Sequence, residues 1–152
     1  MLILADTNIL LRLVERKHPH HAVAANALTN VLARGHKPVI VPQVVYEFWV
    51  VATRPIDVNG LGMSLSEAQF EFDDLMPEFK LLRDERSVFD YWYRLVLDHD
   101  VKGKQVHDAR IVAAMLRHEV SHLLTFNAAD FARYSEITVV DPQRAGELER
   151  AI

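Results

Sequence analysis

Asp6, Glu47, Asp108 and Asp130 are the side chains whose type and placement could do chemistry together. Asp6 directly follows the apolar run from Leu2 to Ala5, and in open α/β sheets ligands bind beyond the carboxyl ends of the strands. Asp6 reads equally as a helix cap, because Asp and Thr7 are common at that position. Asn8 adds a third polar side chain at the same strand end. Glu47 stands one turn after Gln43 in an otherwise apolar stretch, Val44-Val45-Tyr46 and Phe48-Trp49-Val50-Val51. That pair is either the narrow solvated stripe of a buried helix or a stripe facing a polar cleft. Asp108 falls in the first turn of a predicted helix, where the helix dipole favours a carboxylate whatever else it does. Asp130 closes Thr125-Phe126-Asn127-Ala128-Ala129-Asp130, and both it and Asn127 serve equally well as turn or cap residues.

The set says more than its members, since several polar groups at or just beyond strand ends converge on one edge of a parallel sheet. Clustered carboxylates repel, and their pKa values rise unless a cation neutralises them. Oxygen ligands without Cys or paired His favour magnesium or manganese over zinc. Such a site suits phosphodiester hydrolysis, in which metal activates water and stabilises charge on the attacking and leaving oxygens.

The elements that must position these residues alternate. Short continuous apolar runs are predicted strands at Leu2 to Ala5, Val39 to Val41, Phe79 to Leu82, His122 to Thr125 and Ile137 to Val140. Between them run helical patterns: one through Ile9, Leu10, Leu13 and Val14, and one from about His20 to Arg34 with Ala24, Ala27, Leu28, Val31 and Leu32 on one side. Others run from Gln43 to Ala52 after Pro42, from Ser64 to about Met76 behind a capping box with Glu67, from Glu85 to Asp98, and from Gln105 to His118. Strands that are apolar throughout, alternating with helices, indicate a mostly parallel sheet covered on both faces, a three-layer α/β/α sandwich. We expect one domain over residues 1–142 and a peripheral tail or short helix over 143–152. Thr53 to Ser64, with Pro55, Asn59, Gly60 and Gly62, is a loop and a candidate flap on the substrate side.

Composition narrows the function classes. Of the 152 residues half are hydrophobic, enough for a core without staples, and no cysteine is present, which removes disulfides, thiolate metal sites and thiol nucleophiles and fits a reducing cytoplasm. The formal charge of -4 argues against coating nucleic acid through a broad basic face, but an acidic pocket rimmed by a few cations is compatible with it. Neither a signal peptide nor a membrane span is expected. Arg54, Lys102, Lys104 and Arg110 are the basic residues best placed to meet phosphates, although each taken alone is more often simply surface. His18, His20 and His21, beside Pro19, read as exposed capping residues at a helix start, and Tyr91, Trp92 and Tyr93 as core or dimer contacts that could also stack bases.

The chain resembles the PIN-domain family, and within it the VapC-type toxins of toxin–antitoxin pairs. The resemblance is carried by Leu4-Ala5-Asp6-Thr7-Asn8-Ile9-Leu10, by Glu47, by Val106-His107-Asp108-Ala109-Arg110-Ile111-Val112-Ala113-Ala114, and by Leu123-Leu124-Thr125-Phe126-Asn127-Ala128-Ala129-Asp130-Phe131, in matching order over nearly the whole chain. It implies that Asp6, Glu47 and Asp108 are catalytic, metal-binding acids with Asp130 as the fourth. Thr7, Asn8, Thr125 and Asn127 would support them. Some relatives carry an acid where this chain has Asn127, which leaves Asn127 and Asp130 as alternatives for completing the site. The family further implies Mg2+- or Mn2+-dependent RNA cleavage, a homodimer, and inhibition by a small antitoxin protein. Two other readings stay open: a non-catalytic PIN-like module binding RNA or protein, and a small acidic-pocket phosphohydrolase. The second lacks the strand-end Asp two residues after Asp6 that a common phosphatase motif uses, since Asn8 stands there.

Overall fold

Five short strands carry the core of the computed structural model, which describes residues 1–152. They are β1 (Leu2–Ala5), β2 (Lys37–Ile40), β3 (Lys80–Leu81), β4 (His122–Leu124) and β5 (Thr138–Val140), all parallel, in the order β3-β2-β1-β4-β5. Seven helices flank them: α1 (Thr7–Val14), α2 (His21–Ala33), α3 (Pro42–Thr53), α4 (Leu65–Leu75), α5 (Ser87–Asp98), α6 (Gln105–Arg117) and α7 (Ala128–Phe131). This is the three-layer α/β/α arrangement, and its sheet is wholly parallel.

The central strand explains the architecture. Ile3, Leu4 and Ala5 are buried, and Leu4 is paired with Val39 on one side and Leu123 on the other. A strand covered on both edges and both faces has no solvated side, hence its unbroken apolar run. The chain builds outward from β1 to β2 and β3, then crosses to β4 and β5 on the opposite side. β1 and β4 therefore flank the point where strand order reverses, the crevice position for ligands in open parallel sheets.

Differences from expectation have local causes. Leu32, expected inward, is exposed, while Ala24, Ala27 and Val31 form the buried stripe of α2. β3 shortens to two exposed residues, as an edge strand paired with β2 alone, although the Leu82 amide still reaches the Ile40 carbonyl at 2.8 Å. The four-residue α7 is too short to leave a periodic pattern. The segment from Thr53 to Ser64 folds back on the end of α3: the amides of Leu61, Gly62 and Met63 donate to the carbonyls of Val51, Arg54 and Ala52, each at 2.9 Å. Residues Pro142–Glu147 form a 3₁₀ turn packed on α2, with Ala145 fully buried. Beyond it the Ala151 amide donates to Arg34 O at 2.8 Å, and the His36 ring lies 2.7 Å from Glu149 O. No helix is long and apolar enough to cross a membrane.

Candidate active site

Asp6 sits where β1 ends and α1 begins. Its amide still belongs to the sheet, donating to Leu124 O at 3.0 Å, while its Oδ1 accepts the Thr7 amide at 2.8 Å as the N-cap of α1. Asp6 is thus a cap, and its second oxygen is left for the crevice. There Oδ2 accepts the Thr125 hydroxyl at 2.7 Å and the Asn8 side-chain amide at 3.3 Å.

Thr125, buried just past β4, is the hub of this corner. Its Oγ1 donates to Asp6 and accepts from Asn8 Nδ2 and from the Asn127 amide, both at 3.0 Å. Asn8 in turn accepts the Phe126 amide at 3.1 Å. Asn8 and Thr125 stitch the ends of β1 and β4 together across the crevice.

Glu47 reaches the same corner from α3. One of its oxygens accepts the Thr7 hydroxyl at 2.8 Å and the other the Gln43 amide at 2.9 Å, and the same Gln43 nitrogen donates to His107 O at 2.8 Å. The solvated-stripe alternative is overturned here. Gln43 is 7% exposed and Glu47 half-buried, whereas Tyr46 and Val50 are 61% and 58% exposed. The polar stripe of α3 faces the protein beside the buried Val44 and Phe48, and the apolar Tyr46 and Val50 face solvent.

Asp108, half-buried in the first turn of α6, has its pKa pushed up to about 6, first by burial and then by the negative charges of Asp130, Asp6 and Glu47, against a small lowering by His107. Asp6 is also raised: burial outweighs the lowering by its bonds from Thr125 and Thr7, and Glu47 and Asp130 raise it further. Asp6 and Asp108 therefore both lie in the field of Glu47 and Asp130. Asp130 lies exposed in α7 and Asn127 exposed just before it. No three His, Cys, Asp or Glu side chains converge on a single point as they stand.

The basic residues divide. Arg110 joins the network through Gln43 Oε1 at 3.2 Å and ion-pairs with Asp84 at 3.4 Å. Arg54 instead holds Asn59 O at 2.9 Å at the far end of α3, Lys102 pairs with Asp100 at 3.5 Å in solvent, and Lys104 is exposed immediately before α6. Gln43 is the structural member that the list of acids left out. Its signal was the i,i+4 spacing from Glu47 inside an apolar helix. His20 supplies no side-chain cap to α2; its ring stacks on Phe126 with centroids 5.0 Å apart, and His18 Nδ1 accepts its amide.

The family model for the PIN domain matches residues 3–137. No curated protein matches the sequence. Among solved structures, VapBC2 from Rickettsia felis bound to a promoter DNA fragment superposes with a TM-score of 0.72 at 17% identity, covering 92% of this chain and 98% of that one. A toxin–antitoxin complex from Klebsiella pneumoniae gives 0.61 at 22% identity over 92% and 97%. VapC20 of Mycobacterium tuberculosis, a sarcin–ricin loop cleaving toxin, gives 0.63 at 15% identity over 89% and 98%. At such identities these structures share the fold, and the membership rests on the family match: the chain belongs to the PIN-domain family.

Proposed function

We propose that this chain is a divalent-metal-dependent endoribonuclease, the toxin of a toxin–antitoxin pair, hydrolysing RNA phosphodiester bonds at the crevice between β1 and β4. The observation that carries the reading is the hydrogen-bonded corner that holds Asp6 and Glu47 beside Asp108, whose pKa is pushed up to about 6 first by burial and then by the charges of Asp130, Asp6 and Glu47. Oriented bonds from Thr125, Asn8, Thr7 and Gln43 hold the Asp6 and Glu47 carboxylates at this corner against their repulsion, an arrangement with a use for their combined charge.

The donor set fits a hard divalent cation. It is all oxygen, without thiolate or imidazole, and a cation relieves the repulsion that adds to burial in raising Asp108, which favours Mg2+ or Mn2+. Asp6, Glu47 and Asp108 would hold it, with Asp130 or Asn127 completing the shell. When bound, such an ion supplies an activated water and charge stabilisation for the phosphate. The chain's own residues prepare the site. Thr125 and the Thr7 amide fix the Asp6 carboxylate, Thr7 and Gln43 fix that of Glu47, and a free Asp108 carboxyl accepts a proton at mildly acidic pH. Arg110, tied to Gln43, is placed to meet a phosphate, while Arg54 holds Asn59 O at the far end of α3 and Lys102 pairs with Asp100.

The toxin role draws on structures that share this fold, among them the toxin–antitoxin complex of Klebsiella pneumoniae and the toxin VapC20. A cytoplasmic homodimer held inactive by a small antitoxin is the state we propose. A PIN-like binding module is the second reading, favoured by the absence of three converging ligands. A phosphatase is disfavoured because Asn8 is fully engaged in bonds to Asp6, Thr125 and Phe126.

The test is cleavage of a mixed RNA pool by purified protein with magnesium, manganese or chelator, beside a folded Asp6→Asn variant. The expected result is metal-dependent cleavage reduced by about a hundredfold or more in the variant. RNA binding without cleavage, unchanged in Asp6→Asn, selects the binding module.

A further inference from the structure

We propose that the cleft between α5 and α6 seats a nucleotide flanking the scissile phosphate, its base against Phe89 and Trp92 and its phosphate on Arg86 and Arg110. This subsite rests on the nuclease reading for its role but not for its binding. The cleft has a volume of about 420 Å³ and is lined by Glu85, Arg86, Val88, Phe89, Trp92 and Arg110, within the range of small-ligand pockets.

It is linked to the acids through one side chain, Gln43. Arg110, on its wall, donates to Gln43 Oε1 at 3.2 Å, and Gln43 donates to Glu47 at 2.9 Å, so the cleft and the acid crevice share a hydrogen-bonded partition. The wall is built to be rigid. Trp92 Nε1 is tied to Val106 O at 2.8 Å, which fixes the indole against the start of α6. Phe89 lies 6.0 Å from Trp92 and is stacked on Tyr93 at 6.1 Å with planes 9° apart, yet it is 62% exposed. An exposed ring held by two other aromatics is a ready stacking surface, since every base has a π-face.

Charge decides between an RNA and an apolar protein occupant. Two guanidinium groups line this one small cleft of an acidic protein. Arg86 forms none of the chain's ion pairs. Arg110 has one ion pair, the partly exposed contact to Asp84, beside its bond to Gln43. The one acid on the wall, Glu85, is engaged by Arg117. Aromatic faces beside a free planar guanidinium suit a base and its phosphate together.

The experiment uses an unstructured eight-nucleotide RNA and a Trp49→Phe background, in which Trp92 is the remaining tryptophan. In chelator, the RNA should quench Trp92 fluorescence, and Phe89→Ala and Arg86→Gln should each weaken binding by about tenfold. With metal, both should raise KM by a similar factor and leave kcat within about twofold. Unchanged affinity and KM in both variants overturns the proposal. So does conversion of a dimer to a monomer by Phe89→Ala with RNA affinity intact, which would assign the face to a second copy of the chain. The two readings fail separately. Quenching without cleavage sinks the nuclease and leaves the subsite standing, and cleavage without quenching sinks the subsite alone.

Discussion

At Asp6 one oxygen caps α1 while the other is gripped by Thr125, so a single side chain joins the helix start to the crevice. Thr125 carries three hydrogen bonds through one hydroxyl. In Thr125→Val the shape is kept but Asp6 loses its orienting donor and two amides lose an acceptor. Metal affinity or activity should fall by about 10- to 100-fold, as for groups that orient ligands from behind, which titration of Mn2+ against activity will measure. Asp108 makes a pH prediction. Its folded pKa of about 6 lies above the ordinary 3.8, so between those values the folded state binds more protons than the unfolded one. Stability due to this group therefore falls as pH rises through that window. Thermal scans of metal-free protein should show a shallower decline over this range in Asp108→Asn than in the wild type. Mg2+ or Mn2+, which favours the ionised carboxyl, should raise Tm at about pH 7.5 and do little at about pH 4.5. Equal stabilisation at both would remove the link between the acids and the cation.

Among the elements, α3 was the hardest to read. Its sequence allows Gln43 and Glu47 to face water or a cleft, because an i,i+4 stripe has the same spacing in either case. The contacts with Thr7 and the His107 carbonyl turn the stripe inward, and those partners lie 40 and 64 residues away. α4, by contrast, was legible from its cap alone: Ser64 and Glu67 bond reciprocally, as their spacing says. The segment after α3 was legible as a loop but not in its path. There Gly60 passes so close to α3 that an added Cβ would stand 1.8 Å from Arg54 O. Gly60→Ala should lift the segment from the helix and cost about 1–3 kcal/mol in urea unfolding. An unchanged midpoint would show that the loop is not held there.

For the whole molecule, the exposed Tyr46 and Val50, one turn apart on α3, are apolar area on the outer face of a helix whose polar residues point in. If the proposed homodimer uses this face, the protein will sediment as a dimer and Tyr46→Glu with Val50→Glu as a monomer. A wild-type monomer at micromolar concentration would sink the dimer. By itself the sequence determined the alternation of strands and helices, the wholly apolar strands of a covered parallel sheet, and which acids stand at strand ends, because these are local facts of periodicity and residue type. Tertiary structure decided the rest. Strand order β3-β2-β1-β4-β5 brings the ends of β1 and β4 side by side, and only then do Asp6, Asn8 and Thr125 touch. The depth of burial that lifts Asp108, the inward turn of Gln43, and the separation of Arg110 from Arg54 and Lys102 likewise depend on which distant segments pack together. A linear pattern records which residues are available, and long-range packing selects which of them meet.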